Sequence, residues 1–89
     1  MPKVQFTGHL QRFMEAPRVE AEGATLRAVL DNVFRDNQRL RGYVLDEQGA
    51  LRKHVTVFVN GSMLKDRLGL TDEVAPADEV YVLQALSGG

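Results

Sequence analysis

Residues 25–34 constrain the fold more than any other stretch. Leu26, Val29, Leu30, Val33 and Phe34 recur at i, i+3, i+4, i+7 and i+8, which aligns them on one stripe of a helix. Arg27, Asp31, Asn32, Arg35 and Asp36 fall on the other side, and Thr25 is a good N-cap. A helix with one apolar stripe has to bury it, and a sheet is the expected cover. The competing reading, a helix whose stripe binds a partner, would leave the sheet uncovered.

The flanking sequence supplies the strands. Lys3-Val4-Gln5-Phe6-Thr7 alternates with period two and ends at Gly8, and Pro17-Arg18-Val19-Glu20-Ala21 follows as a second strand. The short connection between them predicts a hairpin, with Leu10, Phe13 and Met14 available to pack over a core edge. After the helix, Asn37 to Gly42 reads as a polar exit, Tyr43-Val44-Leu45 as a short strand and Asp46-Glu47-Gln48-Gly49 as a turn. The longest strand signal runs from Leu51 to Val59, with Val55, Val57 and Val59 on one face and Asn60-Gly61 closing it. Met63, Leu64, Leu68 and Leu70 form a connection draping apolar residues over a core margin. Ala75-Pro76-Ala77-Asp78 turns the chain into a last strand from Glu79 or Val80 to about Ala85. A hairpin followed by a helix places that helix across one face of a mixed sheet and leaves the other face open.

Composition removes several classes of function. The 89 residues suit one domain, and the absence of cysteine excludes disulfides, thiolate metal sites and a cysteine nucleophile. A formal charge of −1 with both signs interspersed leaves no footprint for nucleic acid or an anionic membrane. No apolar run reaches the length of a membrane span, and Met1-Pro2-Lys3 does not open a signal peptide, so a soluble, cytoplasmic domain is expected. His9 and His54 have no second ligand at useful spacing, so no metal site is expected. There is no phosphate-binding glycine loop and no Ser/His/Asp grouping, and the scattered Asp and Glu residues are read as serving solubility.

The sequence closes on Leu86-Ser87-Gly88-Gly89. Two terminal glycines read either as a frayed end or as a substrate tail threaded into another protein's active site, since a residue without Cβ passes a narrow channel. From Gln84 to Gly89, at roughly 3.3 Å per residue, an extended tail spans about 20 Å. Ordering it costs on the order of 1–2 kcal/mol per residue in backbone freedom, so a docking surface on the body has to offset the loss. Strand alternation nominates that surface. If Val55, Val57, Val80 and Val82 face the helix, then Thr56, Phe58, Tyr81 and Leu83 face the open side. An exposed Phe-Tyr-Leu cluster suits a partner. The alternative is a shifted register in which those three are core.

The strand–strand–helix–strand–strand order, the helix Thr25-Leu26-Arg27-Ala28-Val29-Leu30, the segment Val57-Phe58-Val59-Asn60-Gly61, the strand entry Asp78-Glu79-Val80 and the terminal Gly88-Gly89 together resemble the ubiquitin-like sulfur-carrier family. That family includes the small subunit of molybdopterin synthase, the thiamin-pathway sulfur carrier and a carrier used in cysteine synthesis. The hairpin from Gly42 to Gly61 is most similar to the last group. The chain departs from the family's usual pattern at Ala77 and across Gln84-Ala85-Leu86-Ser87. The resemblance implies an α+β fold: a ubiquitin-like β-grasp, with one helix packed across one face of a mixed sheet and a flexible Gly-Gly tail. The body would span residues 1–86 and the tail residues 87–89.

The resemblance also implies a chemistry. The chain itself would be no enzyme and would bind no cofactor. A ubiquitin-activating-type adenylating enzyme would use ATP to activate the Gly89 carboxylate, and a sulfur donor would convert it to a thiocarboxylate. A sulfur-accepting enzyme (cysteine synthase-like, or a pterin or thiazole synthase) would take the sulfur. Gly88 and Ser87 would complete the tail, while Phe58, Tyr81, Leu83 and Leu86 would meet the partner. Two other readings stay open: a protein modifier joined through Gly89 to a lysine amine, and an interaction module whose glycines are incidental.

Overall fold

The computed structural model describes residues 1–8, 10 and 18–84. Its elements, in chain order, are β1 (Lys3–Phe6), β2 (Arg18–Glu20), α1 (Leu26–Arg35), α2 (Gln38–Val44), β3 (Val55–Val59), β4 (Ser62–Met63) and β5 (Glu79–Gln84). The five strands form one sheet in the order β2-β1-β5-β3-β4. β1 and β2 make the expected antiparallel hairpin. β5 lies at the centre, parallel to β1 and antiparallel to β3.

α1 forms as its periodicity requires. Leu26, Val29, Leu30, Val33 and Phe34 are all buried, and the Thr25 hydroxyl accepts from the Ala28 N–H at 3.2 Å. The stripe packs on the inward side chains of the sheet, among them Val4, Phe6, Val55, Val57, Val80 and Val82. The Phe6 and Phe34 rings stand 6.3 Å apart. At the entry to α1, Gly23 runs so close to the helix that a Cβ there would stand 2.6 Å from the Val29 nitrogen. Leu10 is buried as expected, whereas Phe13, Met14 and Pro17 lie outside the described residues.

Four expectations need correction. The segment read as a polar exit and a short strand is the second helix, α2, so the sheet is accompanied by two helices and not one. Asn37 caps α2 by accepting from the Leu40 N–H, and Leu40 and Val44, one turn apart, bury its inner side. Two anchors in seven residues are too few to show a helical period, and Tyr43-Val44-Leu45 carries strand propensity that packing overrides. Secondly, the strand expected from Leu51 begins only at Val55. Leu51 instead forms a bridge with Leu45, and the Arg52 N–H bonds the Val44 carbonyl. Thirdly, the residues after Asn60-Gly61 add a short strand, β4, through a turn in which Asn60 and Gly61 both have positive φ. In the connection beyond, Leu64 and Leu70 are buried but Leu68 is 77% exposed.

Fourthly, three carboxylates do structural work in loops. Asp66 accepts from the N–H groups of Leu68, Gly69 and Thr71 and from the Thr71 hydroxyl. Asp72 accepts from the N–H groups of Lys65 and Asp66. Asp78 accepts from the Ala75 N–H and the Asn60 amide. Arg27, placed on the solvent side by periodicity, spans loops by donating to the carbonyls of Gly49, Leu68 and Gly69. Among the described residues no helix is long and apolar enough to cross a membrane.

Candidate functional site

The central strand β5 leads to the end of the chain. Its last described rung pairs Gln84 with Val55 at the start of β3, and five residues of the sequence follow Gln84. Gly89, Gly88, Ser87 and Leu86 lie outside the described residues, as does the boundary expected after residue 86.

The face nominated by alternation is the one opposite α1. Val55, Val57, Val80 and Val82 are buried, while Thr56, Phe58, Tyr81 and Leu83 are half-buried on the other side. A one-residue slip would exchange the two sets, so the burial pattern excludes the shifted register. Phe58 is directly opposite Tyr81, and Thr56 is directly opposite Leu83.

Register then assembles what alternation could not. Gln5 pairs with Tyr81, Arg18 with Gln5, and Met63 with Phe58. The result is one row across the whole sheet: Arg18, Gln5, Tyr81, Phe58, Met63. Met63 is 58% exposed on the outer strand. Away from the tail, the neighbouring row is charged, with Lys3 opposite both Glu20 and Glu79. Toward the tail lie Leu83 and Thr56. The face therefore grades from charged to apolar as it approaches the tail root. Arg18, Gln5 and Met63 were missed because their neighbours across the sheet are distant in sequence.

The far end of β5 is pinned by polar contacts. The Asn60 amide donates to Asp78, and its Oδ1 accepts from the Glu79 N–H at 2.9 Å. The tail end is pinned less completely. Thr56 Oγ1 and Gln84 Oε1 are shielded from solvent and have no hydrogen-bond partner among the described residues, and they belong to the last two described rungs of β3 with β5. Among the described residues no group of three His, Asp or Glu side chains is placed to hold a metal ion. His54 is exposed in the turn before β3, and His9 lies outside the described residues.

A model of the ThiS family matches residues 4–89. The chain belongs to the ThiS family. Among solved structures, it is similar to a chain of the Amycolatopsis orientalis BexX/CysO complex at 27% identity, with a TM-score of 0.87 and 100% of both chains covered. It is also similar to Mycobacterium tuberculosis CysO at 25% identity and TM-score 0.83, over 97% of this chain and 100% of that one. SAMP1 from Haloferax volcanii matches at 25% identity and TM-score 0.81, over 99% and 98%. No curated protein matches the sequence. The mixed five-stranded sheet with its covering helices is thus the ubiquitin-like β-grasp of the ThiS family, with the family match running through Gly88 and Gly89.

Proposed function

We propose that this ThiS-family chain carries sulfur on the carboxyl group of Gly89. The supporting observation is that β5, a strand held on both sides, ends at Gln84, five residues before Gly89, beside an open apolar face. A carboxylate resists nucleophiles because it is already negative and its leaving group would be oxide. In the proposed cycle a partner enzyme presents ATP, the Gly89 carboxylate attacks the α-phosphate, and pyrophosphate leaves. Sulfide from a donor then attacks the acyl carbon and AMP leaves, so the terminus becomes a thiocarboxylate. The acid, base and nucleotide-binding groups belong to the partner. This chain supplies the acyl group, the tail that reaches the cleft, and a docking face of Phe58, Tyr81 and Leu83 continued by Leu86. Tethering raises the sulfur's effective concentration at the acceptor, a cysteine synthase-like, pterin or thiazole enzyme, without releasing sulfide.

The likeness to SAMP1, a small archaeal modifier protein, favours a second reading in which the same adenylate is captured by a lysine amine. Intact mass spectrometry of the protein from its own cells decides between them. One oxygen replaced by one sulfur at the terminus supports the carrier, and an isopeptide ladder on other proteins supports the modifier. Neither product, together with unchanged pathway activity after deletion of Gly89, overturns both.

A further inference from the structure

An asparagine followed by glycine is prone to lose its side-chain amide, because a residue without Cβ leaves its nitrogen free to approach the asparagine Cγ. Of Asn32, Asn37 and Asn60, only Asn60 precedes a glycine. Val33 and Gln38 follow the other two, and their side chains crowd the nitrogen that would attack.

Asn60 and Gly61 form the tip of the β3–β4 hairpin, with φ of 51° and 81°. Asn60 is exposed, and a Cβ on Gly61 would meet no atom within 4 Å, so nothing packs over the glycine. The Asn60 side chain is nevertheless held at both ends. Its Nδ2 donates to Asp78 Oδ1, and its Oδ1 accepts from the Glu79 N–H at 2.9 Å. A carboxylate on one side and an N–H on the other leave the amide a single orientation. The Asn60 N–H adds a bond to the Glu79 carbonyl at 2.8 Å. Asp78 is itself oriented: its Oδ2 accepts from the Ala75 N–H at 2.8 Å, and its own N–H bonds the Ala75 carbonyl at 3.0 Å. Bringing Cγ onto the Gly61 nitrogen requires rotation about the Asn60 Cα–Cβ bond, and that rotation breaks both side-chain bonds.

We propose that Asn60-Gly61 is a site of spontaneous amide-to-acid conversion that Asp78 and Glu79 lock in the folded chain. When the clamp opens, the Gly61 nitrogen gives its proton to hydroxide and attacks Asn60 Cγ. The N–Cγ bond forms, the Cγ–Nδ2 bond breaks, and Nδ2 leaves as ammonia with a proton from water. Water then opens the cyclic imide, and nothing is oxidised or reduced. Addition at Cγ restores the ordinary backbone with a carboxylate side chain. Addition at the α-carbonyl gives isoaspartate, whose backbone runs through Cβ and Cγ. The first product sets a new carboxylate against that of Asp78. The second adds a backbone atom to the turn between the paired Val59 and Ser62. Both weaken the tie between the hairpin and the start of β5. In the folded chain the rate is therefore set by the fraction of molecules in which the clamp is open.

The test is ageing of the full chain in mildly alkaline buffer, with residue 60 read by peptide mass and isoaspartate by enzymatic carboxyl methylation. The folded wild type is expected to convert about tenfold or more slowly than the same chain in urea, where the clamp is absent. Asp78→Ala, checked as folded by its amide dispersion, should close most of that gap. Asp78→Asn, the isosteric variant, offers one oxygen to two donors, the Ala75 N–H and the Asn60 amide, and should fall between. Equal wild-type rates in buffer and in urea would overturn the lock. A folded variant that ages no faster than the wild type would do the same. Absence of conversion at residue 60 in urea would overturn the site itself. None of these outcomes depends on the carrier reading.

Discussion

Thr56 carries a hydroxyl oxygen that is shielded from solvent and has no hydrogen-bond partner among the described residues. An unsatisfied buried polar group costs about 1–3 kcal/mol, and valine has the same shape and better strand propensity. Thr56→Val is therefore expected to raise stability by about 1 kcal/mol, read as a higher urea midpoint with an unchanged slope. Asp66 behaves oppositely. The Gly69 N–H, followed by the Thr71 hydroxyl and the N–H groups of Thr71 and Leu68, holds its carboxyl well below the usual carboxylate range, at about 2. Because the folded value is depressed, its contribution is fully present above the unfolded value of about 3.9 and is lost as pH falls toward 2. Asp66→Asn should flatten that part of the profile, so thermal midpoints measured between pH 2 and about 6 converge with the wild type at the acid end and fall below it at the neutral end. Parallel curves would show that the loop does not depend on the charge.

At the scale of elements, the decisive contact is where the chain passes from β2 into α1. Gly23 lies against the first turns of the helix, and a methyl group there would collide with backbone that cannot move alone: the Val29 nitrogen at 2.6 Å and the Ala28 carbonyl carbon at 2.9 Å. Gly23→Ala is expected to destabilise by on the order of 2 kcal/mol, although alanine is the better helix former. An unchanged denaturation midpoint would mean that β2 and α1 can separate without loss. α2 is a different kind of element. Its cap and two buried anchors attach it to the core, and its Gly42 carbonyl receives the side chain of Arg52, so it braces the turn beside the tail root.

For the molecule as a whole, folding uses one face of the sheet and the proposed docking uses the other. The face toward α1 is closed by Val4, Phe6, Val57, Val80 and Val82, all at most 1% exposed. The outer face keeps Phe58 and Tyr81 half-buried and side by side. Replacing both by serine removes contact area on the outer side and leaves the α1-facing core untouched. The pair variant should therefore stay folded, with native amide dispersion and a cooperative melt. Its KM as a substrate of the adenylating enzyme should rise by on the order of tenfold or more, with kcat little changed, because paired aromatics are the usual anchors of an interface. Loss of kcat with KM unchanged would place the pair outside the docking surface.

What the sequence determined by itself was whatever depends on near neighbours along the chain. The stripe from Leu26 to Phe34, the Thr25 cap, the Asn60-Gly61 turn and the alternation through Val55–Val59 and Val80–Leu83 are short-range patterns, and their periods state which side chains point together. Family membership was legible in the same way, because the order and spacing of those patterns, more than any single residue, carry the resemblance. Tertiary structure alone decided the rest. Gln38–Val44 became a helix because two anchors found a core to fill, and Leu51 left the strand to bridge Leu45. The row from Arg18 to Met63, the bonds of Arg27 and Arg67 to distant carbonyls, and the clamp of Asp78 and Glu79 on Asn60 all join residues far apart in the chain. Such neighbours are chosen by register and packing, which no local period encodes.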